Sequence, residues 1–335
     1  MRRGAIVRIL GLGIIITILV GLVAVLIPWL PDPASKQMER IEDVYWFATI
    51  ICIGIFALVM SVLIYSVITF RAAPEDESDG PSIHGNTSLE IIWTVVPAVL
   101  VIAIGVVSAV VLSQNGDAGK NPMTVRVFAQ QFSWRFEYPA NKGLKSYELV
   151  VPVNRNITFE LQSADVIHSF WIPAMGQKQD VVPGIDTSIV ITPTRTGRFP
   201  LVCTELCGLG HATMRSPVNV VSQADFDKWV KEQQGGDGGK DADGATVFSA
   251  AGCAGCHAFT PANSNGEIGP NLDNVAADAE KAGEAPEAYI KESIVDPNKV
   301  IANGYAKDVM PGDFGKSLSA KEIDALVTYL AAGKQ

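Results

Sequence analysis

Hydrophobic positions are concentrated in the first third of the chain. Three runs without a charged residue occupy residues 9–28, 44–70 and 91–112. Each run is long enough to cross a hydrocarbon core of about 30 Å as an α-helix. No comparable run follows residue 112. The pattern therefore predicts an N-terminal membrane part followed by a water-exposed remainder.

The first run has two interpretations. Arg2 and Arg3 precede it as a basic segment, and "LPDPAS" supplies small residues near a cleavage point, so residues 1–32 are expected to be a signal peptide or a retained membrane anchor. Residues 40–115 are expected to form a two-helix transmembrane hairpin. In this arrangement Arg8 lies in the cytoplasm, Arg40 lies outside, and the acidic loop between the second and third runs is cytoplasmic.

From residue 123 to 221 the pattern changes to short segments rich in Val, Ile, Thr and aromatic residues, separated by Pro, Gly and Asn. "TVRVFAQQFSWRFEYP" and "NITFELQSA" are examples. Such segments predict an antiparallel β-barrel or sandwich, within a domain of residues 120–233. Ser222 is the expected N-cap of a short helix whose Phe226, Trp229 and Val230 share one face. The glycine-rich and charged residues 234–244 are expected to form a flexible linker.

Residues 245–335 have a helical pattern. Ser319 and Glu322 form an S-x-x-E capping box, followed by an apolar stripe at helical spacing. A domain of this size has a thin core, which a buried haem would enlarge.

The length and composition of the chain indicate several domains rather than one. The 335 residues are 48% hydrophobic, which is high for a wholly soluble protein, and the formal net charge of −9 makes nucleic acid an unsuitable partner.

The stretch "AGCAGCHAF" contains the C-x-x-C-H spacing for covalent haem attachment, through Cys253, Cys256 and His257. No histidine follows His257, and Met310 is the only methionine after Met214. Met310 is therefore the candidate second axial ligand, and a His/Met pair favours electron transfer at a raised potential. The alternatives are a disulfide or a zinc half-site for the cysteines, and simple packing for Met310.

A second cluster, "CTELCGLGHATM", presents Cys203, Cys207, His211 and Met214, and His168 is the other histidine of this region. Thiolate, imidazole and thioether ligands together favour copper. A single blue-copper site needs one thiolate, so the second thiolate allows two bridged copper ions. A disulfide between the cysteines and a Cys₂His₂ zinc site are the alternatives.

These motifs resemble subunit II of haem–copper cytochrome c oxidases, of the kind with a C-terminal cytochrome c domain. The resemblance covers nearly the whole chain. It implies a transmembrane hairpin, a cupredoxin-like barrel and an all-α class I cytochrome c domain. It also implies a dinuclear CuA centre whose ligands are His168, Cys203, Cys207, His211, Met214 and the backbone carbonyl of Glu205. The side chain of Glu205 is further implied in a magnesium or manganese site at the contact with subunit I.

As a member of this family the chain is expected to pass electrons from its own haem c through CuA to the haem of subunit I. There O₂ is reduced to water with proton translocation, so this chain itself contains no catalytic site for O₂. Expected partners are subunit I, other oxidase subunits, lipid, and a cytochrome c or other respiratory donor. The expected location is the bacterial cytoplasmic membrane, with both cofactor domains on the external side.

Three further positions come from the same resemblance. "HGNTSLEIIWTVVP" is similar to the start of a family membrane helix in which Glu90 lies near a proton path; alternatively, Glu90 is a charge at a helix end. In "QQFSWRFEYP" Trp134 is kept, whereas Phe132 replaces the tryptophan at which many relatives accept electrons from soluble cytochrome c. This departure puts that route in doubt. His84 is interpreted as a loop histidine, and Cys52 as a small buried hydrophobic residue.

Three other functions remain to be distinguished. A CuA-bearing subunit of a nitric oxide reductase would share the copper loop. A quinol oxidase subunit would lack the copper ligands present here, and a free membrane electron carrier would need no partner subunit.

Overall fold

A computed structural model of the chain describes residues 3–72, 74–75, 80, 82, 84–234, 243–312 and 314–333. The chain divides into two compact units, residues 1–32 with 39–114 and residues 33–38 with 115–335. The second unit contains the β-domain, residues 115–234, and the C-terminal domain, residues 243–333. Residues 235–242 of the expected linker lie outside the described residues.

The first unit is built from long apolar helices. Their bounds are α1 (Arg3–Leu26), α2 (Lys36–Thr69) and α3 (Thr87–Asn115). Each contains an 18-residue stretch apolar enough to span a membrane, with mean hydropathies over these stretches of 3.0, 2.8 and 2.9. Arg40 Nη1 donates to the carbonyl oxygen of Gln114 at 3.2 Å, which joins the start of α2 to the end of α3 as an antiparallel hairpin requires. The three expected apolar helices are confirmed, and each helix continues into the polar residues that flank its apolar run.

The β-domain consists of two five-stranded sheets, with the orders β3-β2-β1-β5-β8 and β4-β10-β9-β6-β7. The strands are β1 (Met123–Gln130), β2 (Ser133–Tyr138), β3 (Leu144–Ser146), β4 (Leu149–Pro152), β5 (Ile157–Ser163), β6 (His168–Trp171), β7 (Lys178–Val181), β8 (Thr187–Ile191), β9 (Gly197–Cys203) and β10 (Arg215–Val221).

Side-chain alternation explains the burial of these strands. In β1 the side chains of Val125, Val127 and Ala129 are buried, whereas the intervening Arg126 is exposed. Trp134, Phe136, Phe159 and Phe170 fill the core. Two strand pairs, β1 with β5 and β4 with β10, are parallel. The expected antiparallel β-domain is therefore a mixed one, because these pairs join strands separated by other elements rather than by tight turns.

Residues 33–38 pack on the β-domain. The backbone N–H of Ala34 donates to the carbonyl oxygen of Ala174 at 2.7 Å, and Ser35 Oγ donates to that of Met175 at 2.8 Å. Gln37 Oε1 accepts from the N–H of Thr192 at 2.9 Å. The segment that follows the predicted signal or anchor is thus part of the folded β-domain.

Helix α4 (Gln223–Gln234) closes the β-domain, and the expected N-cap and buried face are confirmed. Ser222 Oγ accepts from the N–H of Asp225 at 3.1 Å, and Phe226 and Val230 are buried. The rings of Phe226 and Trp229 both contact the ring of Tyr138.

The C-terminal domain is mainly helical, as expected, with one short hairpin in addition. Its elements are α5 (Gly244–Ala250), β11 (His257–Phe259), β12 (Ser264–Glu267), α6 (Val275–Ala282), α7 (Pro286–Val295), α8 (Phe314–Ser317) and α9 (Ala320–Ala332). The capping box of Ser319 and Glu322 is present at the start of α9. The buried stripe of α9 is Ile323, Leu326, Val327 and Leu330.

The hydroxyl of Tyr138 joins β2 to β4 and generates a stability prediction. It donates to the carbonyl oxygen of Val150 at 3.0 Å and accepts from the N–H of Val150 at 2.9 Å, in a fully buried position. Tyr138→Phe leaves both backbone groups without this partner, so unfolding of the β-domain should cost about 1–3 kcal/mol less. Denaturant unfolding of the purified chain measures this loss. Tyr305→Phe, at an exposed tyrosine of the C-terminal domain, is the matched control and should leave β-domain unfolding unchanged; equal midpoints for both variants would contradict the prediction.

Candidate metal and haem sites

The first cluster is positioned by three neighbouring strands. Cys203 ends β9 and pairs with Phe170 of β6, the strand that begins with His168. The N–H of Cys203 donates to the carbonyl oxygen of Met214 at 3.1 Å. This bond closes residues 203–214, here called the ligand loop, at the point where β10 begins.

The side chains predicted as copper ligands converge here. The Sγ atoms of Cys203 and Cys207 are 3.8 Å apart. His168 Nδ1 lies 3.9 Å from the Cys203 sulfur, and His211 Nδ1 lies 3.6 Å from the Cys207 sulfur. Met214 Sδ is 3.8 Å from the Cys207 sulfur. The arrangement therefore has two central sulfurs, an imidazole beside each, and a thioether beside one.

The sulfur separation suits metal binding rather than a disulfide. A disulfide bond is about 2.05 Å long, and both cysteines are free. Sulfurs 3.8 Å apart can both reach a metal ion between them at about 2.3 Å. Ligand atoms of His168, Cys203 and Cys207 all lie within 4.8 Å of one another. The residues present fit a thiolate-bridged copper site.

Glu205 contributes its backbone to this cluster. Its carbonyl oxygen lies 3.2 Å from the Cys203 sulfur, whereas its side chain is exposed. The neighbouring Leu206 and Leu209 are 78% and 93% exposed, so the tip of the ligand loop is apolar and uncovered in this chain.

Asp165 and Gln131 support the ligands. Asp165 Oδ1 lies 2.8 Å from His168 Nε2, which fixes the ring so that Nδ1 faces the sulfurs. Asp165 Oδ2 accepts from the N–H of Gln131 at 2.7 Å, and Gln131 Nε2 donates to the carbonyl oxygen of Cys207 at 2.5 Å. The sequence analysis missed both residues, although the spacing "DVIH" places Asp165 near His168.

The two thiols differ in acidity. Burial opposes ionisation of Cys203, but hydrogen bonds from His168, Ser169 and other neighbours hold its pKa below the usual range of a thiol. Burial and the nearby Cys203 sulfur raise the pKa of Cys207. Without a cation, ionisation of one thiol therefore opposes ionisation of the other. A bound metal ion would stabilise both thiolates.

The second cluster lies in the C-terminal domain. Cys253, Cys256, His257 and Met310 all line one cavity of about 1420 Å³, counted out to open solvent. His257 is buried, and its Nδ1 donates to the carbonyl oxygen of Pro270 at 2.8 Å. Nε2 is then the ring atom left for iron. Burial lowers the pKa of His257, which favours the neutral ligating form.

The cavity fits a haem by the chemistry of its lining. Its walls include the apolar side chains of Phe248, Leu272, Ile290, Ile294, Phe314 and Leu326. Both candidate axial ligands, His257 and Met310, belong to the same lining. The pairing of Pro270 with His257 was not predicted from the sequence, because nothing local marks a backbone acceptor 13 residues away.

The remaining predicted positions lie elsewhere. Glu90 is in the first turn of α3, where its carboxylate accepts from the N–H of Asn86 at 3.1 Å, a role in helix capping. His84 Nε2 lies 2.7 Å from Ser82 Oγ in the preceding loop. Cys52 is in α2 and is exposed within this chain rather than buried, because it lines an open pocket together with Val20 of α1. Phe132 is 9% exposed and lines the haem cavity together with Ser133.

A membrane-anchored β-sheet domain with a copper-type ligand set, followed by a haem-type domain, defines a membrane-bound electron-transfer protein. Three known family domains match successive parts of the chain, in the same order as the parts of the structure. The cytochrome c oxidase subunit II transmembrane domain matches residues 22–111, the periplasmic domain of the same subunit matches residues 144–222, and cytochrome c matches residues 242–334.

Individual relatives carry the same description. Cytochrome c oxidase subunit 2 of Synechocystis is 32% identical over 65% of this chain and 82% of its own length. The Bacillus subtilis subunit 2 is 30% identical over 89% of both chains. A crystal structure of the periplasmic domain of cytochrome oxidase subunit II from Bradyrhizobium japonicum is 32% identical, with 36% of this chain and 99% of that chain covered and a TM-score of 0.35. The chain belongs to the cytochrome c oxidase subunit II family, in the form that carries a cytochrome c domain.

Removal of the Asp165 carboxylate tests its support of the copper site. Asp165→Ala frees His168 to rotate, so copper affinity should fall by about 10- to 100-fold. Competition titration with a copper chelator measures the change. Asp186→Ala removes a carboxylate that contacts Gln162 instead, and it should leave affinity unchanged. An unaltered affinity in Asp165→Ala would show that the hydrogen bond does not orient the ligand.

Met310→Ala tests the assignment of the second axial ligand. Haem should stay covalently attached through the two cysteines, while its reduction potential falls or the iron becomes high-spin, since an axial thioether raises the potential. Redox titration followed by visible absorption measures both effects. The same spectrum and potential in variant and parent would mean that Met310 only packs in the cavity.

Proposed function

We propose that the chain is the electron-entry subunit of a terminal cytochrome c oxidase. Cys253, Cys256, His257 and Met310 would hold the haem c at which electrons would enter. His168, Cys203, Cys207, His211 and Met214, with the backbone carbonyl of Glu205, would hold a dinuclear CuA centre, which would pass the electrons to the haem of subunit I. O₂ reduction to water and proton translocation then take place in the complex, outside this chain. The haem and the copper pair would each supply a one-electron carrier.

The convergence of two thiols and two imidazoles, with Cys203 and Cys207 3.8 Å apart at the centre, carries the proposal. A redox site works fastest when its ligands move little between oxidation states. Cys203 and Met214 are tied to strands by the backbone bond between them, and His168 is held by Asp165. These residues hold the ligands in place independently of any metal.

In the second site the chain itself supplies attachment and ligand orientation. Cys253 and Cys256 would fix the haem edge, and the carbonyl of Pro270 holds the His257 ring. The apolar cavity walls would limit the access of water to a bound haem, and this together with Met310 would favour a raised potential.

Contact with subunit I is assigned to the tip of the ligand loop. The exposed Leu206 and Leu209 provide an apolar surface, and the Glu205 side chain beside them is free of the copper set, so it could hold a magnesium or manganese ion at that contact. Glu90 is kept as a candidate entry to the proton path, although its capping bond to Asn86 already accounts for its position. The β-domain and C-terminal domain are assigned to the external side of a bacterial cytoplasmic membrane.

Truncation tests the order of the relay. A chain ending at Gln233 should still assemble with subunit I and keep its copper spectrum, but the complex should oxidise reduced cytochrome c far more slowly than the intact complex. Steady-state O₂ consumption at one ionic strength measures the difference. A small-molecule reductant that reaches the copper directly is the control for an intact exit path.

Equal turnover of the intact and truncated complexes with cytochrome c would refute the serial relay. The same assay with NO in place of O₂ separates an oxidase from a nitric oxide reductase. Turnover with NO and none with O₂ would assign the chain to the latter.

A further inference from the structure

Tyr147 of the β-domain is buried in the core of the C-terminal domain. It lies between β3 and β4, is 5% exposed, and belongs to the same buried cluster as Phe248, Phe314 and Leu318 of that core. Its ring centroid is 6.1 Å from that of Phe314, with the planes inclined by 37°. Ser216 Oγ donates to the carbonyl oxygen of Tyr147 at 3.0 Å, which holds this residue on β10. Tyr147 thus inserts from one domain into the other.

A second apolar contact lies beside the two cofactor loops. A Cβ atom added to Gly210 would be 2.5 Å from Phe132 Cδ2 and 2.9 Å from Ile268 Cδ1, so both side chains rest on this glycine. Gly210 precedes the copper ligand His211, and Ile268 lies two residues before Pro270, which orients His257. The contact therefore fixes one ligand-bearing segment against the other.

The cofactor loops also touch directly. Thr213 Oγ1 donates to the carbonyl oxygen of Gly210 at 2.8 Å and lies 3.3 Å from that of Gly255, between the two haem cysteines. A Cβ atom on Gly255 would be 2.9 Å from Thr213 Oγ1, and one on Gly252 would be 3.2 Å from Ser133 Cβ. Glycine at both positions permits an approach that side chains would prevent.

We propose that the C-terminal domain is held in a preformed docked position on the β-domain, anchored by Tyr147, with electrons crossing at the contact of Thr213 with Gly255. This proposal rests on the proposed relay and specifies its geometry. A flexible linker alone would give only repeated encounters at an effective concentration of about mM. The Tyr147 and Phe132 contacts replace those encounters with one fixed arrangement.

Docking also determines where an outside donor can act. Phe132, Ser133 and Thr213 face the C-terminal domain, so a free cytochrome cannot reach the ligand loop by this surface while the domain is docked. External electrons must instead enter through the haem of the C-terminal domain. The replacement of tryptophan by Phe132 agrees with an internal contact in place of an entry surface.

The test uses the assembled complex, with one electron delivered to haem c by a photoactivated small-molecule reductant. In the parent complex haem c should reoxidise in a single phase whose rate is independent of glycerol viscosity and ionic strength. Tyr147→Asp should slow this phase about tenfold or more and make it viscosity-dependent, because an unpaired carboxylate is costly to bury in the core of the C-terminal domain.

Two matched variants act as controls. Tyr147→Phe keeps the ring against Phe314 and should transfer electrons at the parent rate. Lys145→Asp adds an acidic group at an exposed site nearby and should also be unaffected. The haem c and copper spectra of all three variants should match the parent, because Tyr147 and Lys145 belong to neither ligand set.

Different results would contradict the docked arrangement and the electron relay. A viscosity-dependent rate in the parent complex, or an unchanged rate in Tyr147→Asp, would overturn docking and leave the relay in place. Should Tyr147→Asp fail to assemble, the viscosity dependence of the parent complex decides alone. Reoxidation of haem c without any change at the copper site would overturn the relay as well.

Discussion

The hydrogen bond from the N–H of Cys203 to the carbonyl oxygen of Met214 is the constraint on which the candidate copper site and the contact of its loop with the C-terminal domain depend. It closes the ligand loop between the end of β9 and the start of β10. The two ends of the loop, Cys203 and Met214, are therefore held next to each other. Pairing of β9 with β6 then brings His168 to the same point, 35 residues away in sequence. The hydrogen-bonded strands β6, β9 and β10 therefore hold the candidate metal ligands in place.

The same loop also forms part of the surface of the β-domain that contacts the C-terminal domain. Gly210 and Thr213 lie beside the proposed copper ligands His211 and Met214, and they contact Ile268 and Gly255. A change that loosened the loop would disturb the metal site and the domain contact together. The structure therefore couples the placement of one proposed carrier to the placement of the next, and the proposed relay needs such a short and constant gap.

Local patterns determined how much could be predicted. The membrane spans, the helix caps at Ser222 and Ser319, and the spacing of the cysteines and histidines are all features of neighbouring residues, and the sequence predicts them well. The grouping of His168 with the ligand loop could be expected from the scarcity of histidines in this region and from the family resemblance, not from any local pattern. The parallel pairs of β1 with β5 and β4 with β10, the support from Asp165 and Gln131, and the insertion of Tyr147 depend on contacts between separate segments. The periodicity and motif spacing of the sequence do not indicate those contacts.

The most direct measurement of the account is time-resolved near-infrared absorption of the copper site after a single electron is delivered to haem c in the intact complex. The account predicts that the copper band bleaches with the same rate constant as haem c reoxidises, since the copper pair is the next carrier. Reoxidation of haem c while the near-infrared absorption stays constant would contradict it, because the electron would then have left the C-terminal domain by another route.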